Sequence, residues 1–206
     1  MTANGQSGIT RVVTHGTFEL DGGSWEVDNN IWLVGDDSEV IVIDAAHDAT
    51  AIEKAVAGRH VVAVVCTHGH NDHITVAPQL GADLDAPVLL NPADTMLWEI
   101  THGDKAFRAL QDGQVLTAGG IDLRAIATPG HSPGSTCLYA PQLGAVFSGD
   151  TLFCGGPGAT GRSFSDFPTI LASIKGKLGA LPPDTVVYTG HGDSTTIGGE
   201  LVNYDD

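Results

Sequence analysis

Positive charge is scarce in this chain: nine Lys and Arg stand against 25 Asp and Glu in 206 residues, a formal net charge of −16. Nucleic-acid phosphates and anionic lipid are both held by dense cationic surfaces, so neither is an expected partner. Cysteine is nearly missing. Cys66, Cys137 and Cys154 are an odd number without C-x-x-C spacing, which excludes a disulfide framework and a thiolate zinc knuckle. Cys66 and Cys137 lie in apolar stretches and read as small buried hydrophobes, whereas Cys154 falls in a Gly-rich loop. No apolar run nears the roughly 20 residues of a bilayer span; residues 61–65 are strand-sized. Residues 1–10 are polar and Gly-rich, without the basic cap or apolar core of a secretory signal. A soluble, cytoplasmic protein is expected. Nor does any repeat, charge block or Ser/Pro-rich linker divide the chain, so residues 1–206 are read as one domain, long enough to bury a sizeable core.

What is present is alternation of β-rich runs and short helices. Strand-like runs cover residues 10–20, 30–34 and 40–44, followed by a helix at 50–57 in which Ile52 and Val56 share a face. A buried strand at 60–66 runs into Thr67-His68-Gly69-His70-Asn71-Asp72-His73, and a helix is expected from His73 toward Leu80. A strand at 87–90 and a helix at 92–100 close the first half. Strands at 114–116, 121–127, 135–139 and 145–148 follow, separated by Pro/Gly turns. Residues 150–165 form a long Gly-rich loop, after which Asp166 can cap a helix carrying Ile170, Leu171, Ile174, Leu178 and Leu181. A last strand at 185–189 leads into Gly190-His191-Gly192, and a final helix is expected at 196–204. Strand runs with helices after them in each half predict an α/β sandwich of two facing sheets with helices outside.

Nine histidines are the other peculiarity of composition. Four ligand-type side chains, His68, His70, Asp72 and His73, form H-x-H-x-D-H directly after a buried strand, where a turn at Gly69 can aim them into one cleft. Imidazole with carboxylate suits a borderline-soft divalent metal. His131 in a Pro/Gly turn, Asp150 in Ser148-Gly149-Asp150 and His191 each end a predicted strand, the position where open α/β sheets place ligands. His15, His47, His60 and His102 match no ligand position and read as surface or internally satisfied residues.

Residues 67–73, Thr128-Pro129-Gly130-His131-Ser132-Pro133-Gly134, Phe147-Ser148-Gly149-Asp150 and Thr189-Gly190-His191-Gly192 closely resemble, in this order, the motifs of the metallo-β-lactamase superfamily. Asp44 in Val42-Ile43-Asp44 looks like its early aspartate, and within the superfamily the chain looks most like the short relatives of glyoxalase II, the hydroxyacylthiol hydrolases. The resemblance implies a four-layer αββα sandwich with the site at one edge of the cleft. It implies that His68, His70 and His131 hold one metal, that Asp72, His73 and His191 hold a second, and that Asp150 bridges the two. Zinc is the first expectation for the pair, with iron or manganese as alternatives. Asp44 would orient the ligand loop, unless it is an ordinary capping or turn aspartate.

Hydrolysis by a metal-bridging hydroxide is the implied chemistry, with Asp72 and Asp150 as the catalytic carboxylates. A thiolate leaving group, pKa near about 8.5, departs without a strong acid, which favours a thioester of a small thiol carrier over an amide. Arg162 and Phe164, in the segment after Asp150, are candidate substrate contacts. Arg162 could hold a substrate carboxylate or make a structural ion pair. Asn30, with Asn29 and Trp32, either rims the opposite side or leads a polar turn into a strand. The few lysines and short stretch after His191 put glutathione recognition by a C-terminal helical domain in doubt, leaving another thiol carrier such as mycothiol or bacillithiol. Two other readings use related sites: a mononuclear iron persulfide dioxygenase and a lactonase. Oligomeric state is not legible.

Overall fold

The structure, a computed structural model, describes residues 8–204. The reading of the first ten residues falls mostly outside them. The first half of the chain builds one six-stranded sheet in sequential order from β1 to β6: β1 (Ile9–Leu20), β2 (Gly23–Gly35), β3 (Glu39–Ile43), β4 (His60–Val65), β5 (Val88–Leu90) and β6 (Arg108–Ala109). β1, β2 and β3 pair antiparallel, and from β3 onward the pairing is parallel. Between the strands lie α1 (Ala49–Val56), α2 (Asn71–Ile74), α3 (Ala77–Asp83) and α4 (Thr95–His102).

The second half builds the other sheet from β7 (Val115–Ala118), β8 (Ile121–Ala127), β9 (Thr136–Ala140), β10 (Ala145–Gly149), β13 (Val186–Thr189) and β14 (Thr195–Thr196), ordered β14-β13-β10-β9-β8-β7. A small hairpin, β11 (Leu152–Phe153) with β12 (Gly156–Pro157), interrupts the Gly-rich loop, and α5 (Phe167–Gly176) and α6 (Ile197–Leu201) complete the chain.

Strands apolar at every position are explained by burial on both faces. Along β2 and β3, Trp32, Val34, Ile41 and Ile43 turn inward and meet Leu123, Ala125, Leu138 and Phe147 of the other sheet. Their neighbours Ile31, Leu33, Val40 and Val42 turn outward onto Ile52, Val56, Leu80 and Trp98 of the helices. Cys137, Val146 and Val187 pack outward on Ile170, Ile174 and Ile197. The layers are therefore helix, sheet, sheet, helix, as expected.

Local differences from expectation have local causes. The strand read at residues 30–34 starts at Gly23, because its outer half pairs with β1 as an exposed ribbon whose polar residues carry no apolar alternation. The helix expected from His73 is two short ones, with Pro78 in the first turn of the second. Asp166 caps α5 by accepting from the Thr169 N–H at 2.9 Å, but α5 stops at Gly176, and Leu178 and Leu181 are buried from the turn beyond it. Among the described residues, no helix is long and apolar enough to cross a membrane.

Candidate metal centre

Four segments reach one end of the sandwich from C-terminal strand ends: the loop after β4 with His68 to His73, the turn after β8 with His131, Asp150 after β10, and His191 after β13. Glycine is required where they meet, since a Cβ on Gly190 would collide with the Asp150 carboxylate and crowd the His73 ring at 2.8 Å. All seven expected ligand residues converge there, in two triads plus a carboxylate between them. His68 Nε2 and His131 Nε2 each lie 3.0 Å from His70 Nδ1. His73 Nε2 and His191 Nε2 lie 3.2 Å apart, with Asp72 Oδ2 at 3.5 and 3.2 Å from them. Asp150 presents Oδ1 to His73 at 3.3 Å, and Oδ2 to His191 at 3.4 Å and His131 at 3.6 Å.

The outer nitrogens fix what the inner ones offer. His131 Nδ1 lies 2.8 Å from the Ala159 carbonyl, and His191 Nδ1 lies 2.8 Å from the Asp28 carbonyl. His73 Nδ1 lies 2.8 Å from Asp44 Oδ2. Each partner only accepts, so Nδ1 keeps a proton, and Nε2 is the nitrogen that offers a lone pair inward when the ring is neutral. The Thr67 hydroxyl donates to Asp44 Oδ2 at 3.0 Å, so His68 Nδ1, 3.1 Å from that hydroxyl, is a donor too. Asp44, buried and at φ 63°, also accepts the Thr67 N–H at 2.7 Å.

Lone pairs and carboxylates packed this closely need positive charge among them. Asp150 Oδ1 is buried without a hydrogen-bond partner. Burial pushes the His191 imidazole down, but Asp150 and Asp72 outweigh it and hold it up at about 10. His73, under the same opposition of burial and three carboxylates, is raised well above its ordinary value. His70 is pulled down to about 3 by burial and by His131, which outweigh the opposing pull of Asp72 and Asp150. The donor set fits divalent cations: nitrogens 3.0–3.2 Å apart approach the roughly 3.3 Å that separates tetrahedral ligands bound at about 2.0–2.1 Å.

Three supporting residues went unread as such. Asp94, fully buried at the start of α4, accepts the Gly69 N–H at 2.8 Å, the Ser132 hydroxyl at 2.7 Å and the Gly134 N–H at 2.6 Å, tying the two ligand loops together. Burial pushes its carboxyl up against the pull of those bonds. In sequence, Asn91-Pro92-Ala93-Asp94 signals only a helix start. Asn29, flagged for the cleft rim, is instead buried and donates to Asp72 Oδ2 at 3.2 Å, while its carbonyl lies 2.9 Å from His47 Nε2. His47, at φ 65°, thus sets which way that amide faces.

The expected substrate contacts divide. Asn30 is buried and its side chain is spent on Arg11 Nε, Thr189 O and Gly192 O, so it fastens the His191 loop and does not face the cleft. Trp32, also buried, donates to Thr189 O at 3.0 Å. Arg162 and Phe164 are exposed on the Gly-rich loop, with Phe164 at φ 69°. The Arg162 guanidinium sits over Trp25, its Cζ 3.7 Å from the ring centroid, with the Phe18 ring at 5.4 Å. Phe18 also meets the His70 ring at 5.2 Å. These two aromatics come from the polar outer half of the β1–β2 ribbon, where no pattern marked them.

A fold with two sheets, and a metal-ligand cluster where their strands end, defines a class of protein, and comparison with known families agrees. A profile of the metallo-beta-lactamase superfamily matches residues 25–191, and the chain belongs to that superfamily. It is 35% identical to a hydroxyacylglutathione hydrolase of Acidiphilium cryptum, over 87% of this chain and 70% of that protein. Hydroxyacylglutathione hydrolase GloC of Haemophilus influenzae is 30% identical over 83% of this chain and 89% of its own length. The solved structure of TTHA1623 in a di-iron-bound form superposes with a TM-score of 0.77 at 32% identity, covering 84% of this chain and 92% of that one. These relatives support a metal-dependent hydrolase.

Proposed function

We propose that the protein hydrolyses thioesters of a low-molecular-weight thiol, using two divalent cations, zinc first and iron or manganese next, held by His68, His70 and His131 and by Asp72, His73 and His191. The observation that carries this reading is the seat of Asp150, whose two oxygens face His73 on one side and His131 and His191 on the other. Two such cations, when bound, bring the pKa of water toward neutrality and draw charge from a carbonyl oxygen. Asp44, the Ala159 carbonyl and the Asp28 carbonyl keep three imidazoles in the tautomer that offers Nε2. Burial pushes the Asp72 carboxyl up, but His73 and His191 prevail and hold it below its ordinary value, so it stands ready to accept a proton rather than give one. Asp150 is likewise held low by His191 and His73 against burial. A cleft whose carboxylates are ionised suits a leaving group that departs as an anion, and a thiolate does so where an amine does not. The scarcity of positive charge supports a small-molecule substrate over nucleic acid or membrane.

The test is elemental analysis of the purified protein beside a panel of acyl-thiols, lactones and persulfides. Two metals per chain with thioester hydrolysis support the proposal. One iron per chain with sulfite formed from a persulfide in air would overturn it in favour of an oxygenase, and hydrolysis confined to lactones would move the bond but keep the centre.

A further inference from the structure

Asn29 stands closer to the second triad than its bond to Asp72 requires. Its amide nitrogen lies 3.2 Å from Asp72 Oδ2, 3.4 Å from His73 Nε2 and 3.5 Å from His191 Nε2. Those three atoms are themselves 3.2–3.5 Å apart. The four therefore mark the corners of a near-regular tetrahedron whose centre is about 2.0–2.1 Å from each corner, the bond length of a divalent ion to nitrogen or oxygen. A strand holds the fourth corner in place: Asn29 belongs to β2, where the N–H of the next residue donates to the Gly190 carbonyl at 2.8 Å, beside His191.

An amide NH2 is poorly matched to that corner. It has two hydrogens, one directed at Asp72 Oδ2, and the other cannot serve two imidazole lone pairs. If the rings are protonated, N–H faces N–H instead. Asn29 is fully buried, so water does not relieve the mismatch. The other end of the same amide is a carbonyl oxygen, a ligand that divalent ions accept. Half a turn about Cβ–Cγ exchanges the two ends, along a torsion that is broad and roughly two-fold in asparagine. The oxygen now lies 2.9 Å from His47 Nε2. A neutral imidazole gives or takes a hydrogen at that nitrogen according to which nitrogen carries its proton, so His47 sets the amide one way in one tautomer and the other way in the second. The His47 backbone is left-handed, at φ 65°, and its ring lies against Gly16, where a Cβ would collide with it. A non-glycine residue kept in that conformation, with room made for its ring, marks a contact the fold preserves.

We propose that Asn29 is a further protein ligand of the second cation, its carbonyl oxygen joining Asp72, His73 and His191 while its NH2 donates to His47 Nε2. The proposal rests on the two-cation reading above and adds a ligand to that site. The test compares wild type, N29A and N29D, each loaded with zinc or with cobalt(II) and titrated with a chromogenic chelator. N29A loses the oxygen, whereas N29D keeps one and loses the N–H that reaches Asp72. N29A is expected to release the second ion about 100-fold more readily, the upper end of what an outer partner gives, and N29D to hold it as tightly as wild type or more so. The visible bands of cobalt(II) are strongest with four ligands and fade as ligands are added. They are expected to intensify in N29A and to keep wild-type strength in N29D. If Asn29 acts only by donating to Asp72, N29D sets one carboxylate against another and releases the ion more readily than N29A, and that result overturns the proposal. Tighter binding in N29D with bands alike in all three proteins would show added charge without a bond, and overturns it too. A crystal structure of the zinc-loaded wild type needs no variant: Asn29 Oδ1 within about 2.0–2.2 Å of an ion supports the ligand, and an amide more than about 3 Å from any ion overturns it. If Asn29 binds one of two ions yet no thioester is hydrolysed, the thioesterase reading fails and the ligand stands. If thioesters are hydrolysed and all three proteins retain two ions alike, the ligand fails and the hydrolase stands.

Discussion

Asp150 faces both triads with its two oxygens. D150N keeps the shape but removes the charge and turns an N–H toward imidazoles that carry lone pairs inward. It is expected to bring thioester turnover below about 1% of wild type, beyond the 10 to 100-fold typical of an outer partner, with metal content falling well under two per chain by elemental analysis. Beyond Asp150, Asn29 holds Asp72, and His47 holds Asn29. N29A is expected to weaken metal retention about 10 to 100-fold, read by competition with a chromogenic chelator; H47A should shift it in the same direction by less, because the amide remains. Unchanged retention in N29A would show that Asp72 needs no such support. The ligands were legible because their types and spacings are rare together. Their supporters were not: Asn29, His47 and Asp94 act through contacts 18 to 43 positions apart, a distance at which no local pattern operates.

The loops carrying His68 to His73 and His131 are held by one carboxylate at the head of α4. D94A leaves the N–H groups of Gly69 and Gly134 and the Ser132 hydroxyl without their acceptor. At about 1 kcal/mol or more for each stranded group, a loss near 3 kcal/mol is expected in urea unfolding of the loaded protein. D94N should recover little, because half of its amide presents donors to donors. The inner strands were read nearly to their ends from continuous Val and Ile runs, as with residues 40–44 against the observed Glu39–Ile43. The β1–β2 ribbon was read only where it enters the core. Its outer half, with Phe18 and Trp25, is solvated on much of its surface, so its pairing is set by register with β1 and not by burial, and its part in the site could not be seen.

With 16 more negative than positive charges, the molecule gains from cations in the centre, and their removal should show in its pH response. In the metal-free state the folded protein holds a proton on His191 up to about 10, while an unfolded histidine releases it near 6.5. That group's contribution to stability is complete below about pH 6.5 and is lost as pH rises toward 10. Bound cations displace the proton, so the loaded protein is free of this slope. Thermal melts in chelator and in excess metal are expected to diverge steadily from pH 6.5 to 10, and parallel curves would contradict the ligand role of His191. On the acid side His102, held low by burial despite its contact with the Ile74 carbonyl, costs stability in both states as pH falls below about 6.5.

The two sheets divide the chain in sequence as well as in space: residues 9–109 form one and residues 115–196 the other, with a single passage between them. Cutting the backbone at the exposed Asp112–Gly113 junction would therefore sever no strand. Because each fragment brings part of the ligand set, metal would act as a rivet between them: nicked protein should stay joined through gel filtration when loaded and come apart sooner once the ions are stripped.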